Sequence, residues 1–195
     1  MQREIRIALR VTVATLALTG VAYPLALSGL AQLVAPAQAN GSLVTDESGR
    51  VVGSALIGQR FTEPGYVWPR PSAAGAGWDA TASGGSNLGT TSRKLRDRAA
   101  AELERLRAAN PEAIGRVPVE LIAASASGLD PHVSPEAALW QAPRVARARN
   151  VDAARVRAVI ESQVEGRTLG FLGEPRVNVL LVNLALDRQF GRAPE

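Results

Sequence analysis

Between Val11 and Thr45 the chain carries no Asp, Glu, Lys or Arg, and the 24 residues from Val11 to Val34 are mostly Val, Leu, Ala and Thr. As a helix this run is roughly 36 Å long. That is enough to cross a hydrocarbon core about 30 Å thick with some tilt. Pro24 falls mid-span and predicts a kink, which membrane helices tolerate. Arg3, Arg6 and Arg10 precede the run and no basic residue follows closely, a bias that puts the N-terminus in the cytoplasm. Residues 1–39 then read as a cytoplasmic N-terminus and transmembrane anchor, and 40–195 as an extracytoplasmic soluble domain. The competing reading is a cleaved signal peptide, since Ala37-Gln38-Ala39 forms an A-x-A site before Asn40. Signal-peptide apolar cores run about 7–15 residues. The longer core here favours an uncleaved anchor.

The span also carries a pattern of size. Ala8, Thr12, Thr15, Thr19, Ala22, Ala26 and Gly29 follow a 4-3-4-3-4-3 spacing, which is one helix face, all small. Small faces let transmembrane helices approach closely. Half of this stretch is small, so chance alignment is the competing explanation. The stripe from Thr15 through Thr19, Ala22 and Ala26 to Gly29 predicts packing on a partner helix.

Beyond Asn40 the pattern predicts a mixed α+β domain. Val51 to Ile57 reads as a short strand after the turn Asp46-Glu47-Ser48-Gly49. Phe61 to Asn87 is rich in Gly, Pro, Ser and aromatics and has no periodicity. An irregular stretch of this length is usually functional or disordered, and its aromatics argue for order. Leu95, Ala99, Leu103 and Leu106 make an apolar stripe along a helix from Thr91 to Asn110, stopped by Pro111. Val117 to Ala123 predicts a strand. Ser134-Pro135-Glu136 starts a helix that Pro143 breaks or kinks. Asp152 caps another helix running to about Glu165. Gly166 to Arg176 is a turn-rich connection, and Val177 to Phe190 predicts a short strand passing into a terminal helix.

Composition removes several chemistries. There are 22 basic and 18 acidic residues, a net charge of +4, and no basic run interleaved with aromatics, so nucleic acid is set aside. All the basic residues except Lys94 are Arg. With no Cys and one His, His132, zinc and copper sites of the usual ligand types are excluded. A Ser-His-Asp triad would need His132, and neither a G-x-S-x-G nor a phosphate-loop motif occurs. Two segments stand out. Ser83-Gly84-Gly85-Ser86-Asn87-Leu88-Gly89 is either an anion nest of backbone N–H groups or a tight loop that needs glycine at positive φ. Ala124 to Pro135, containing Asp130 and His132, is either a site between strand and helix or a capped crossover loop.

At these segments the sequence resembles a known family, the C subunit of the Kdp system, the bacterial ATP-driven potassium importer. The matching stretches are Trp68-Pro69-Arg70-Pro71-Ser72-Ala73, Ser83 to Gly89, Ala124 to Pro135, and Gly170-Phe171-Leu172-Gly173-Glu174-Pro175-Arg176-Val177-Asn178-Val179-Leu180, continuing through Asn183-Leu184-Ala185-Leu186-Asp187. The likeness covers nearly the whole chain. Trp140-Gln141 departs from an expected Tyr-Gln, and Thr90-Thr91-Ser92 from a Pro-rich or Asn-containing variant. The resemblance implies a non-enzymatic accessory subunit beside a channel-like potassium-translocating subunit, a P-type ATPase subunit and a small single-span subunit, in a lipid bilayer. It implies a catalytic chaperone that raises ATP affinity, with ATP suggested at Ser83, Gly84, Gly85, Ser86 and Asn87 because this stretch is similar to the ABC-transporter signature loop. Charge bias opposes direct contact: a loop on the outer face is separated from cytoplasmic ATP by about 30 Å of hydrocarbon. The role that fits is a cap on the outer mouth of the channel-like subunit. A secreted hydrolase using His132 and a lone extracytoplasmic binding protein are the alternatives.

Overall fold

The computed structural model describes residues 1–193. By internal contacts these fall into two units, Met1–Leu43 and the residues from Val44 onward.

The first unit is helical. A single helix runs Gln2–Val34, 33 residues, with none of its side chains buried. It begins nine residues before Val11, because Arg3, Arg6 and Arg10 are good helix formers and extend the rod. It consists of α1 (Gln2–Ala17), a π turn (Leu18–Ala22) and α2 (Tyr23–Val34). Pro24 sits in the first turn of α2, and the wide turn just before it accommodates a residue that cannot donate to the helix. Tyr23 N–H reaches back five residues to Leu18 O, and the Thr19 hydroxyl donates to Thr15 O at 2.8 Å. A short α3 (Pro36–Ala39) follows.

The second unit is mixed helix and small sheet. Strands β1 (Leu43–Thr45) and β2 (Val51–Ser54) form a two-stranded sheet around the Asp46 turn. Its geometry comes from Asp46, which accepts from Ser48 N and Arg50 N and pairs with Arg50. A three-stranded antiparallel sheet has the order β3 (His132–Val133), β5 (Arg176–Asn178), β4 (Val164–Glu165). Val177 faces Val133 on one side and Val164 on the other. The helices are α4 (Arg93–Ala109), α5 (Pro135–Trp140), α6 (Ala142–Arg149), α7 (Ala153–Ser162) and α8 (Val179–Phe190).

Local chemistry sets these boundaries. Ser92, Ser134, Asp152 and Asn178 each accept a backbone N–H as N-caps of α4, α5, α7 and α8. Pro143 lies in the first turn of α6 and divides it from α5. Leu106 of the apolar stripe is buried, and Leu95, Ala99 and Leu103 are partly covered. Two readings need correction. Val117–Ala123 is not a strand: Pro118 removes a ladder donor, and the chain forms a 3-10 turn at Val119–Leu121. The helix from Asp152 ends at Ser162, three residues early, because Val164 and Glu165 pair with β5.

The core gathers Leu106, Leu121, Val133, Val145, Val156, Ile160, Val177, Val182 and Leu186. Phe61 to Asn87 contains no helix or strand, yet Val67, Trp68 and Ala74 are buried. Its backbone is satisfied by side chains. Arg144 donates to Pro64 O and Tyr66 O at 2.6 and 3.0 Å, and Arg149 to Gly65 O at 2.6 Å. The Asn183 amide takes Val67 N–H and donates to Val67 O, at 2.8 and 3.0 Å. The Gln141 amide does the same for Trp68, at 2.9 and 3.2 Å. Five consecutive carbonyls, 64 to 68, are thus met by four side chains, three from the α5–α6 region and one from α8.

Arg144 is 2% exposed. Its remaining bonds go to Asn110 Oδ1 and Gln141 Oε1, and its guanidinium lies 3.8 Å from the Trp68 ring centre. Burial, with Arg105 and Arg147 nearby, pushes its pKa down to about 9, so it stays charged at neutral pH. Arg144→Leu strips donors from two carbonyls and two amides and should cost about 3–5 kcal/mol. The exposed Arg157→Leu should change stability by less than about 0.5 kcal/mol. Thermal unfolding of the full chain in detergent, followed by tryptophan fluorescence, checks this. Equal midpoints for the two variants would refute the assignment.

Candidate functional site

The two segments singled out by the sequence meet. Ser83 Oγ donates to Ser127 O at 3.0 Å, and Gly84 N–H donates to the same carbonyl at 2.8 Å. Ser72 ties a third strand of loop to them: its hydroxyl donates to Gly128 O at 2.6 Å and accepts from Ala74 N and Trp78 N. A fourth arrives through Gly58 N–H, which donates to Leu129 O at 2.7 Å. Segment 124–131 is therefore the centre of a stack of loops, and Val179 N–H, donating to Pro131 O at 2.8 Å, fastens it to α8.

The glycines have different tasks within this stack. Gly128 has φ of +68°, and a Cβ there would stand 2.5 Å from Ala74 N and 2.7 Å from Gly84 O. Gly85 has no positive φ, but a Cβ would come within 2.9 Å of Ala126 O. Gly84 has neither constraint. The expectation that Gly84 and Gly85 are held at positive φ is therefore corrected. Asn87 is the left-handed residue of that loop, φ 49°, and Asn adopts this conformation more readily than most side chains. Gly84 N–H, the natural first donor of an anion nest, is already committed to Ser127.

Asp130 and His132 lie at the far end of the segment. Asp130 pairs with Arg70 at 3.0 Å and accepts His132 N–H at 3.0 Å, while His132 Nδ1 stands 3.6 Å away. Burial raises the Asp130 pKa, but the His132 hydrogen bonds and the Arg70 charge outweigh it and leave the carboxyl below its ordinary value. The nearby serines are occupied structurally. Ser127 Oγ accepts from Leu129 N, and Ser134 bonds both Glu120 and the first turn of α5. The cluster braces the entry to β3; it is not built as a nucleophile with a base.

The residues that sequence reading missed are Gln141, Arg144, Arg149 and Asn183. One signal could have found them. Arg144 sits among Ala142, Val145 and Ala146 on the buried side of α6, and Asn183 on the buried side of the otherwise apolar α8. Polar residues on a buried stripe require partners.

These features define a class: a chain with, among the described residues, one helix long and apolar enough to span a membrane, joined to a small mixed domain of braced loops. The family model described as "K+-transporting ATPase, c chain" matches residues 5–188, and the chain belongs to that KdpC family. It is 68% identical over 188 residues to the potassium-transporting ATPase KdpC subunit of Myxococcus xanthus, covering 96% of this chain and 89% of that one. It is 54% identical over 190 residues to the KdpC subunit of Rhodospirillum rubrum, covering 97% and 98%. The KdpC subunit of a Caulobacter species is 55% identical over 173 residues, covering 89% and 87%.

The loop geometry predicts unequal glycine tolerance. Gly128→Ala should cost about 2 kcal/mol or more, from strained φ and backbone overlap together. Gly84→Ala should be neutral or stabilise by about 0.5 kcal/mol. Thermal midpoints of the two full-length variants decide it, and a Gly84→Ala loss as large as that of Gly128→Ala would contradict the loop assignment.

Proposed function

We propose that this chain is the membrane-anchored, non-hydrolysing accessory subunit of a potassium-transporting ATPase complex. Residues 1–10 lie in the cytoplasm, the helix crosses the bilayer over Val11 to Val34, and residues 40–195 stand on the outer side. Its partners are a channel-like potassium-translocating subunit, a P-type ATPase subunit that hydrolyses ATP, and a small single-span subunit. The observation that carries this reading is family membership over residues 5–188 combined with the uncovered apolar helix. The 33-residue helix is long and apolar enough to cross a membrane. The small face at Thr15, Thr19, Ala22, Ala26 and Gly29 is the part suited to a neighbouring helix.

The outer domain caps the mouth of the channel-like subunit. Any effect on ATP affinity is indirect, a coupling free energy carried through the complex and therefore reciprocal. The commitment of Gly84 N–H to Ser127 supports a structural role for Ser83 to Asn87. With no Lys or Arg in that loop, a nucleotide would have little to bind.

The native chain has no cysteine, so single thiols report topology directly. A membrane-impermeant maleimide should label Asn87→Cys in intact spheroplasts and label Arg6→Cys only after lysis. The reverse pattern would invert the proposed topology. Affinity purification of the full chain in mild detergent should recover the large subunits. Ala22→Leu with Ala26→Leu should lower that recovery, whereas Leu16→Ile with Leu25→Ile should not.

A further inference from the structure

Ala37-Gln38-Ala39 has the A-x-A pattern of a signal-peptide cleavage site, and the accessory-subunit reading leaves it unused. Its side chains are not hidden, since residues 36–41 are all exposed. What sets the segment apart is its backbone. The helix Gln2–Val34 breaks at Ala35, with φ of −146°, and α3 follows at once. Ala39 N–H donates to Ala35 O at 2.9 Å, and Asn40 N–H to Pro36 O at 3.0 Å. The turn then closes on itself. Gly41 N–H donates to Gln38 O at 3.0 Å, and Ser42 N–H to Ala37 O at 2.8 Å. With Gly41 at φ +86°, this pair of bonds is the Schellman arrangement that ends helices. Side chains add a second lock. The Gln32 and Asn40 amides exchange two hydrogen bonds across the corner, both 3.2 Å, and Asn40 Nδ2 also donates to Pro36 O at 2.8 Å.

We propose that this capped turn masks a latent processing site: a membrane-bound peptidase that reads small side chains at alternate positions passes the chain by, and the anchor stays attached. The inference rests on the outer placement of residues 40–195 and adds to it the device that keeps them tethered. Two features of the turn carry it. The first is side-chain direction. A peptidase that reads A-x-A takes Ala37 and Ala39 together from one side of an extended strand, where residues two apart share a face. In a helical turn residues two apart do not face the same way. The turn therefore cannot present both alanines at once.

The second is the backbone. Susceptibility to proteolysis follows the burial and hydrogen bonding of the backbone that must be cut. Burial gives no protection here, so hydrogen bonding must. Ala37 O, Gln38 O, Ala39 N–H and Asn40 N–H are all engaged within the turn, and the last of these belongs to the Ala39–Asn40 peptide bond itself. When opening is fast, cleavage tracks the population of the open form, and each of these bonds lowers that population. The length of the apolar run is a separate guard, and the two make different demands. Length acts whatever the turn does. The mask fails once the turn opens.

The test opens the turn in the full chain without touching residues 36–40. Ser42→Pro removes the N–H that bonds Ala37 O, and proline, fixed near φ of about −65°, cannot adopt the φ of +50° found at Ser42. Gln32→Ala removes the amide partner of Asn40. Intact mass of membrane-extracted protein is read together with amide hydrogen exchange. The unmodified chain should keep residues 1–39. In the double variant, exchange at Asn40 and Gly41 should quicken by about tenfold or more, as the loss of several ordinary hydrogen bonds implies, and a species beginning at Asn40 should accumulate. Adding Ala39→Leu should abolish that species. Faster exchange with the mass intact would overturn the proposal and leave span length as the guard. Unchanged exchange would overturn it too, because these bonds would then not hold the turn. Cleavage that persists with Ala39→Leu would mean general nicking of an opened linker, and no masked site. If the unmodified chain already begins at Asn40, or if maleimide labelling at Arg6→Cys and Asn87→Cys is inverted, the anchored reading fails and the mask with it. An intact chain that is both opened and outward-facing removes the mask alone.

Discussion

A charged guanidinium with no carboxylate beside it holds the mixed helix-and-sheet domain together. Arg144 lies in the core at the junction of α4, α6 and the segment around Trp68, and all of its bonds go to neutral oxygens. Burying an unpaired charge is costly, so every donor must find an acceptor. That requirement fixes where Pro64, Tyr66, Asn110 and Gln141 can sit. The Trp68 ring covers one face of the guanidinium, and on that same ring Arg105 lies 4.6 Å from the centroid. A cation over an indole recovers part of the lost hydration. Replacing these groups by apolar ones would fill the space but would not specify the path of the loop.

The consequence is a domain whose interior is partly loop. A buried backbone without sheet or helix must have its polar groups met one by one. Here the amides of Asn183 and Gln141 stand where neighbouring strands would stand. Arg149 repeats the device on the next turn of α6, bonding Gly65 O, Gly191 O and Asp187 while lying 5.0 Å from the Tyr66 ring centre. Tyr66 donates in turn to Asp187 at 3.1 Å. Because α6, its N-cap Gln141 and α8 between them hold residues 64–68, the loop stack anchored through Ser72 and Gly128 inherits a fixed position. Each of these bonds joins residues far apart in sequence, so none forms until the chain has largely collapsed.

That long range explains which parts were legible beforehand. Helix starts were, because their signals are local. Ser134 and Asp152 cap helices within three residues of themselves, and Pro143 acts on its own turn. The passage from a short strand into the terminal helix was legible as well, although Asn178, the cap between them, was not singled out. The misread strand at Val117–Ala123 came from weighing β-branched residues above Pro118, whose missing donor decides the matter. The hairpin partner Leu43–Thr45 was hidden in the uncharged run that follows the helix Gln2–Val34. Of the candidate site, the two loop segments were legible as unusual, but their contact was not. No local rule says that Gly84 meets Ser127, or that the glycine requiring its backbone freedom is Gly128.

Stiffness is the property that these braces share, and it bears on how such a domain can act. A surface that adapts on binding loses conformational freedom each time it does so. A surface fixed by buried arginines, amide side chains and left-handed glycines has met that cost during folding. The loop tip at Leu169–Leu172, closed by the hydrogen bonds between Thr168 and Leu172, belongs to this second kind. Its frame connects through Val177 and Asn178 to the β3–β5–β4 sheet, and through Val179 N–H to the 124–131 segment. The tip and the loop stack thus share one connected set of strand pairings and hydrogen bonds. A stiff body transmits a partner's position better than a soft one. Coupling between distant sites then needs no ligand on this chain at all, only two arrangements of its partners that the rigid body fits unequally.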